Sequence, residues 1–494
     1  MSNLAEEIIT PVDGGGANHI ARGQRLKLST LSFYGAGMLV QDTLGLGLGT
    51  LLLFYLTVVC GLSGSAAGIA LALALVVDSF IDPLVGSISD NSRSRHGRRH
   101  PFMLAAAIPI AVGFGLLFSI PAALTGIGLF VYVLTMLMIV RVGLSFFQVP
   151  YIALGAELSD DYSERSTIVA SRVLFTVVAG VSAAVLAYGV FLKGHDGQLN
   201  RAAYAPYAWT CGILVLAGAA LATFGTMSSR HRLHAAPEGH ATSQLLSEVI
   251  EVFRNRSFSI LFSACLVLFV GLGFAGSLAL HANTYFWKLQ PPQILLITLL
   301  VSMGYFAGVF IAITLTRFLE KRWIAMIGIA MIGFGQLVPA GLKVTGLIGL
   351  SSELTTLMFA SVFTGIGASC ALIGFQSMMA DAADEHELLF KARREGLYFA
   401  GISFSAKASS GIGALLAGLV LDVIHFPHDL AGQTVSHAHF ATGTVLKLGL
   451  FQGPGAAAIT AISVLVLILY RRGRREHEEV RKVLVERRSI KQPE

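Results

Sequence analysis

The sequence predicts an all-α membrane protein: twelve spanning helices arranged as two six-helix bundles. Three observations lead there. Only 13% of the 494 residues are charged and 54% are hydrophobic, with a mean hydropathy of +0.71. A soluble domain carries about 25% charge, and no single core could hide this much apolar surface. Apolar runs near or above the roughly 20 residues that cross hydrocarbon recur about twelve times along the chain. Finally, Lys and Arg gather in alternate connections, the asymmetry that marks cytoplasmic loops.

The runs fall at 30–59, 65–89, 102–121, 126–150, 167–192, 205–226, 258–286, 292–317, 323–342, 353–379, 396–425 and 445–470. The 53 glycines suit close helix contact in lipid. One set of connections holds Arg93, Arg95, Arg98 and Arg99, then Arg165, then Arg254 and Arg256, then Lys321 and Arg322, then Arg393 and Arg394. The opposite set has scattered residues such as Lys193, Arg201, Lys288 and Lys343. The first set is therefore assigned to the cytoplasm. Both termini fall there too, which requires an even number of spans. The membrane is read as a bacterial inner membrane.

The polar break at 227–257 separates six spans from six. The expected organisation is a disordered cytoplasmic tail (1–26), an N-terminal bundle (27–226), a central cytoplasmic loop (227–257), a C-terminal bundle (258–470) and a basic cytoplasmic tail (471–494). An internal echo supports two related halves. Ala156-Glu157 follows the fourth span and Ala380-Asp381 the tenth, and the next helix carries a cation in each case, Arg172 and Lys407.

Several function classes fall away. The net charge of +6 does not indicate nucleic acid, because the cations sit in short loops between apolar runs. Cys60, Cys211, Cys265 and Cys370 lie inside apolar runs at unrelated spacings, as packing residues do. Residues 1–26 lack the charged start, apolar centre and cleavage site of a signal peptide. No zinc spacing, phosphate loop or nucleophile elbow occurs in a fitting context, so no enzyme and no cofactor are expected.

Charges inside spans are costly and usually face a cavity. Asp78 and Asp82 in the second span are spaced i, i+4, which puts both carboxylates on one helix face roughly 6 Å apart. Two such carboxylates repel unless a cation or proton lies between them. A hard cation such as Na⁺ fits; a structural pair with a nearby Lys or Arg is the alternative. Lys407 in the eleventh span needs a carboxylate, and Asp78 or Asp82 is the natural one. A lysine that can exchange with a metal ion is a coupling device; a fixed bridge between the halves is the other reading. Asp42 and Arg172 can hydrogen-bond a polar solute, although Arg172 is near enough to the surface to reach headgroups. Arg141 and Gln148, seven residues apart, share one face of the fourth span, and Pro150 is expected to loosen the helix there. Asp90 with Arg93, Arg98 and Arg99 can close a cytoplasmic gate by ion pairing. His281, Asn283, Tyr285 and Trp287 read either as solute contacts or as an interfacial aromatic belt.

These residues resemble the glycoside–pentoside–hexuronide:cation symporter family of the major facilitator superfamily. The resemblance is carried by Asp78-Ser79-Phe80-Ile81-Asp82-Pro83 with the arginines 93–99, by Val149-Pro150-Tyr151 and Ala153-Leu154-Gly155-Ala156-Glu157, by Met379-Ala380-Asp381, by Arg394-Glu395-Gly396-Leu397, and by Lys407. It implies that Asp78 and Asp82 bind the coupling ion, Na⁺ or H⁺, and that Lys407 couples. It implies that Asp42 and Arg172 bind sugar. Where the family has a fourth-helix acid this chain has Gln148, and Arg141 adds a positive charge. An acidic sugar such as a hexuronide therefore fits better than a neutral galactoside. The expected solute is a glycoside or sugar acid, carried by a monomer in the lipid bilayer. A lysophospholipid-like solute, a proton-coupled exporter and a non-transporting receptor are the other readings. Buried charges argue against the last of these, being costly without a solute path.

Overall fold

The computed structural model describes residues 26–92, 94, 97–159, 161–228, 245–390, 395–430, 440–441, 443–471, 473, 476–480 and 482–484. Arg93 and Arg95 of the expected gate lie outside them, as do Arg393 and Arg394.

Among the described residues, twelve helices are long and apolar enough to span. They are α1 (Leu28–Val59), α2 (Gly64–Asp90), α3 (His100–Leu117), α4 (Gly126–Glu157), α5 (Glu164–Phe191), α6 (Arg201–Met227), α7 (Arg256–Phe286), α8 (Pro291–Leu315), α9 (Lys321–Val344), α10 (Ser351–Phe390), α11 (Gly396–Val423) and α12 (Thr444–Ile468). Polar side chains start several of them. Ser63 caps α2 through Ala66 N–H, Asn255 caps α7 through Ser257 N–H, and Gln290 and Gln293 form a capping box on α8. Each satisfies amide donors that the first turn leaves free.

Helix pairing repeats six helices on. In the first half α2 and α3 pack on α4, α3 on α6, and α1 on both α5 and α6; in the second, α8 and α9 pack on α10, α9 on α12, and α7 on both α11 and α12. The halves meet chiefly along α2 and α11.

Three expectations need correction. α4 runs unbroken through Pro150 to Glu157, and α10 extends to Phe390, well past the apolar runs that end at 150 and 379. Apolar length marks where a helix leaves lipid, not where it stops. Proline is tolerated inside spanning helices because neighbours satisfy the freed groups. The central break, read as a loop, contains a helix at Leu245–Arg254.

The start of α1 and the ends of α2, α4, α10 and α12 mark one side of the bundle, the terminal side. On the opposite, distal side α1 is buried around its whole circumference: every residue of Leu51–Val59 is at most 1% exposed. Towards the terminal side Gly45 and Gly49 are exposed, and a Cβ at either would meet nothing within 4 Å. α1 is thus enclosed distally and exposed towards the terminal side.

Candidate functional site

The distal seal joins the two halves directly. At the first turn of α2, Gly64 and Ser65 donate their amides to the two carboxylate oxygens of Asp422 on α11, each at 2.8 Å. A Cβ at Gly64 would overlap Gly418 O, and one at Gly418 would overlap Gly64 O, so glycine at both is what lets the helices cross this closely. Leu430 N–H donates to Val58 O at 2.7 Å. Thr57 Oγ1 lies 2.9 Å from His281 Nε2. Phe54, His281, Tyr285 and Phe426 pack ring against ring around it. His281 and Tyr285 are buried in this seam, and Trp287 is buried beside Phe286 and Lys343 of the same half, so an exposed aromatic belt does not describe them.

Below the seal, α2 and α11 present the charged cluster. Lys407 Nζ lies 2.6 Å from Asp82 Oδ2 and 3.3 Å from Asp78 Oδ2. Asp78 is 2% exposed, and Ser145 Oγ on α4 donates to its Oδ1 at 2.5 Å. Asp82 Oδ1 is buried without a partner. The lysine ammonium of one half therefore sits between two carboxylates of the other. A carboxylate oxygen left without a donor is what an arriving cation requires.

Arg141 on α4 borders this cluster. It feels the Asp78 charge but forms neither an ion pair nor a hydrogen bond among the described residues, and its Nε is buried without a partner. It lines a cavity of about 260 Å³ shared with Thr50 of α1, Ser277 of α7 and Ser410 of α11. It does not pair with Asp42.

Asp42 interacts instead with Thr176 and with the charge of Arg172. The Arg172 guanidinium stands over the Tyr151 ring, 5.8 Å from its centroid, so it is directed into the N-terminal half rather than to headgroups. Tyr151 stacks on Tyr34 at 4.7 Å and donates its hydroxyl to Tyr34 O at 2.8 Å, which ties α4 to α1. Gln148 is half-buried on α4, two turns and about 10 Å along the axis from Arg141. The structure therefore yields two polar groupings: Asp78, Asp82, Lys407 and Arg141 across the halves, and Asp42 with Arg172 inside one half.

On the terminal side Arg99 binds Asp90 at 2.6 Å and Glu157 at 2.8 Å, and Arg98 binds Glu157 at 2.5 Å. The echo recurs in the second half, where Lys321 binds Asp381 at 2.7 Å. These pairs brace helix ends within each half.

Sequence reading missed Ser145, Thr50, Ser277, Ser410 and Asp422. Small hydroxyls are frequent in spans and carry no signal alone. Asp422 was legible as a carboxylate closing an apolar run, but apart from His428, 3.5 Å away, its partners are backbone amides that no side-chain pattern reveals.

Comparison with known proteins bears on the family and the fold. A family model described as MFS/sugar transport protein matches residues 33–472. The isoprimeverose transporter of Lactiplantibacillus pentosus is 24% identical over 79% of this chain and 78% of its own. The glucuronide carrier protein homolog of Escherichia coli (strain K12) is 24% identical over 86% of this chain and 91% of its own. Among solved structures, a bacterial homologue of the iron transporter ferroportin in an inward-facing state aligns with a TM-score of 0.61 at 13% identity, covering 90% of this chain and 99% of that one; at this identity the likeness is one of fold. With its twelve spans, repeated helix pairing and cross-half carboxylate–lysine cluster, the chain belongs to the MFS/sugar transport protein family, in keeping with the glycoside–pentoside–hexuronide:cation symporter pattern of its motifs.

Proposed function

We propose that this protein is a cation-coupled symporter of a sugar or glycoside, working by alternating access in a bacterial inner membrane with both termini cytoplasmic. In that orientation the distal side is external, and the conformation is closed outward and open inward. The observation that carries the reading is Lys407 of one half held between Asp78 and Asp82 of the other. A cation, Na⁺ or H⁺, entering this site competes with the ammonium and so changes what joins the halves. That is how ion occupancy biases a two-state carrier. Asp42, Arg172 and the Arg141 cavity provide the solute path, with Gln148 further along α4. Asp90, Arg98 and Arg99 brace the inner ends that must close around it.

The solute reading is an acidic sugar. Arg141 has no ion-pair partner among the described residues, Gln148 brings no negative charge, and guanidinium matches carboxylate in two-point geometry. A cavity of about 260 Å³ falls just below the usual ligand sites, which begin near roughly 300 Å³; it suits one sugar ring better than a lipid chain. The test is uptake of labelled methyl β-D-glucuronide into proteoliposomes under an inward Na⁺ or pH gradient. Cation-stimulated uptake that disappears in both Asp78→Asn and Asp82→Asn, with thermal unfolding retained, is expected. Full stimulation in either variant moves the ion site elsewhere.

A further inference from the structure

The charges around the cavity cancel. Asp78 and Asp82 contribute two negative charges, Lys407 and Arg141 two positive, and the neighbouring Asp42 and Arg172 balance each other. Three of the four are joined within 3.3 Å, while Arg141 stands apart with a buried, unpartnered Nε. Its wall of Thr50, Ser277 and Ser410 hydroxyls offers hydrogen bonds but no countercharge. An unbalanced charge in such a site is strongly unfavourable, so occupancy must keep the sum near zero.

We propose that Arg141 is a carboxylate subsite that couples solute to cation through charge balance, one monovalent cation being carried with one monoanionic sugar. This rests on the symport of an acidic sugar argued above. The empty site is neutral, as is the site holding both ions. A cation alone leaves +1 and an anion alone leaves −1, so both half-loaded states are disfavoured. Asp78 is the shared element. Lys407 and Ser145 already contact it, and Arg141 acts on it electrostatically from the cavity side. A solute carboxylate that takes up Arg141 removes that positive field from Asp78 and raises cation affinity. By linkage the cation raises solute affinity by the same factor. Transport is then electroneutral. A neutral glycoside leaves the Arg141 charge in place and gains no such help.

The test begins with purified full-length protein and no sugar, titrating Na⁺ (or pH, if protons drive uptake) against thermal stability. Arg141→Gln removes the opposing charge and should lower the apparent Na⁺ dissociation constant at least tenfold. A value unchanged or raised overturns charge balance. Arg141→Lys keeps the charge but not the two-point geometry. Its Na⁺ dissociation constant should stay within twofold of the parent, while methyl β-D-glucuronide binding weakens about tenfold. Loss of Na⁺ response in this variant also overturns the proposal, and it stands as the check if Arg141→Gln does not fold. In parent proteoliposomes, cation-driven glucuronide uptake should not respond to an imposed K⁺ diffusion potential; potential-driven accumulation overturns the one-to-one balance. These failures differ from failure of the underlying reading, in which neither methyl β-D-glucuronide nor methyl β-D-glucoside shows cation-stimulated uptake at all.

Discussion

Asp422→Ala is expected to unlatch the distal side. The Asp422 carboxylate accepts both leading amides of α2 across the halves, at 2.8 Å each. Hydrogen bonds to a charged acceptor contribute roughly 1.5–3 kcal/mol apiece, and a carboxylate at a helix N-terminus adds a few tenths more. The side chain is 30% exposed, so solvent screens part of this, and water can reach the freed amides. A net loss of about 2 kcal/mol follows, which moves the equilibrium towards the distally open form by about 30-fold. The remaining seam, Leu430 on Val58 and Thr57 against His281, should keep the protein folded. The assay is Thr50→Cys, a cavity residue, placed in a Cys60→Ser background because Cys211, Cys265 and Cys370 are buried. Reaction with a membrane-impermeant maleimide applied from the distal side reports how often the seal opens. Asp422→Ala should accelerate labelling by an order of magnitude or more, and Asp422→Asn, which keeps one carbonyl acceptor, by less. Labelling within twofold of the parent in Asp422→Ala would show that the latch contributes nothing to the closed state.

Other outcomes follow from the same packing. Gly418→Ala drives a Cβ into Gly64 O and should lower stability by about 1–3 kcal/mol. Gly45→Ala, with nothing within 4 Å of the new Cβ, should be neutral or stabilising by up to about 1 kcal/mol; thermal unfolding in detergent compares them. Glu157→Gln keeps one carbonyl acceptor but removes the negative charge that Arg98 and Arg99 share; their side chains are 11% and 6% exposed, and the change should cost about 3 kcal/mol. Asp381→Asn in the second half should cost less, since Lys321 is 37% exposed and has more water to replace its partner. Equal losses in the two variants, read by the same melting experiment, would contradict the burial argument.

The sequence by itself determined the membrane class, the number of spans and the two-fold repeat. Hydrocarbon thickness and the cost of unpaired backbone leave twelve long apolar runs no other reading. It also exposed Asp78, Asp82 and Lys407, because a charge in lipid needs a nearby partner and these charges are few. Spacing alone put the two aspartates on one face. What tertiary structure decided is everything that depends on which faces meet. Pro150 closes the fourth apolar run and reads as a loosened point in isolation, yet α4 continues through it to Glu157, where Pro150 is buried in protein. Arg172 could have reached the surface or the interior, and the Tyr151 ring supplied by α4 decides for the interior. Gln148 and Arg141 share a helix face, but only Arg141 is at the height where α1, α7 and α11 leave a cavity. The distal latch was least legible of all. Its partners are a carboxylate and two main-chain amides 358 and 357 residues away, and backbone donors look the same at every position in a sequence until the fold brings one of them to an acceptor.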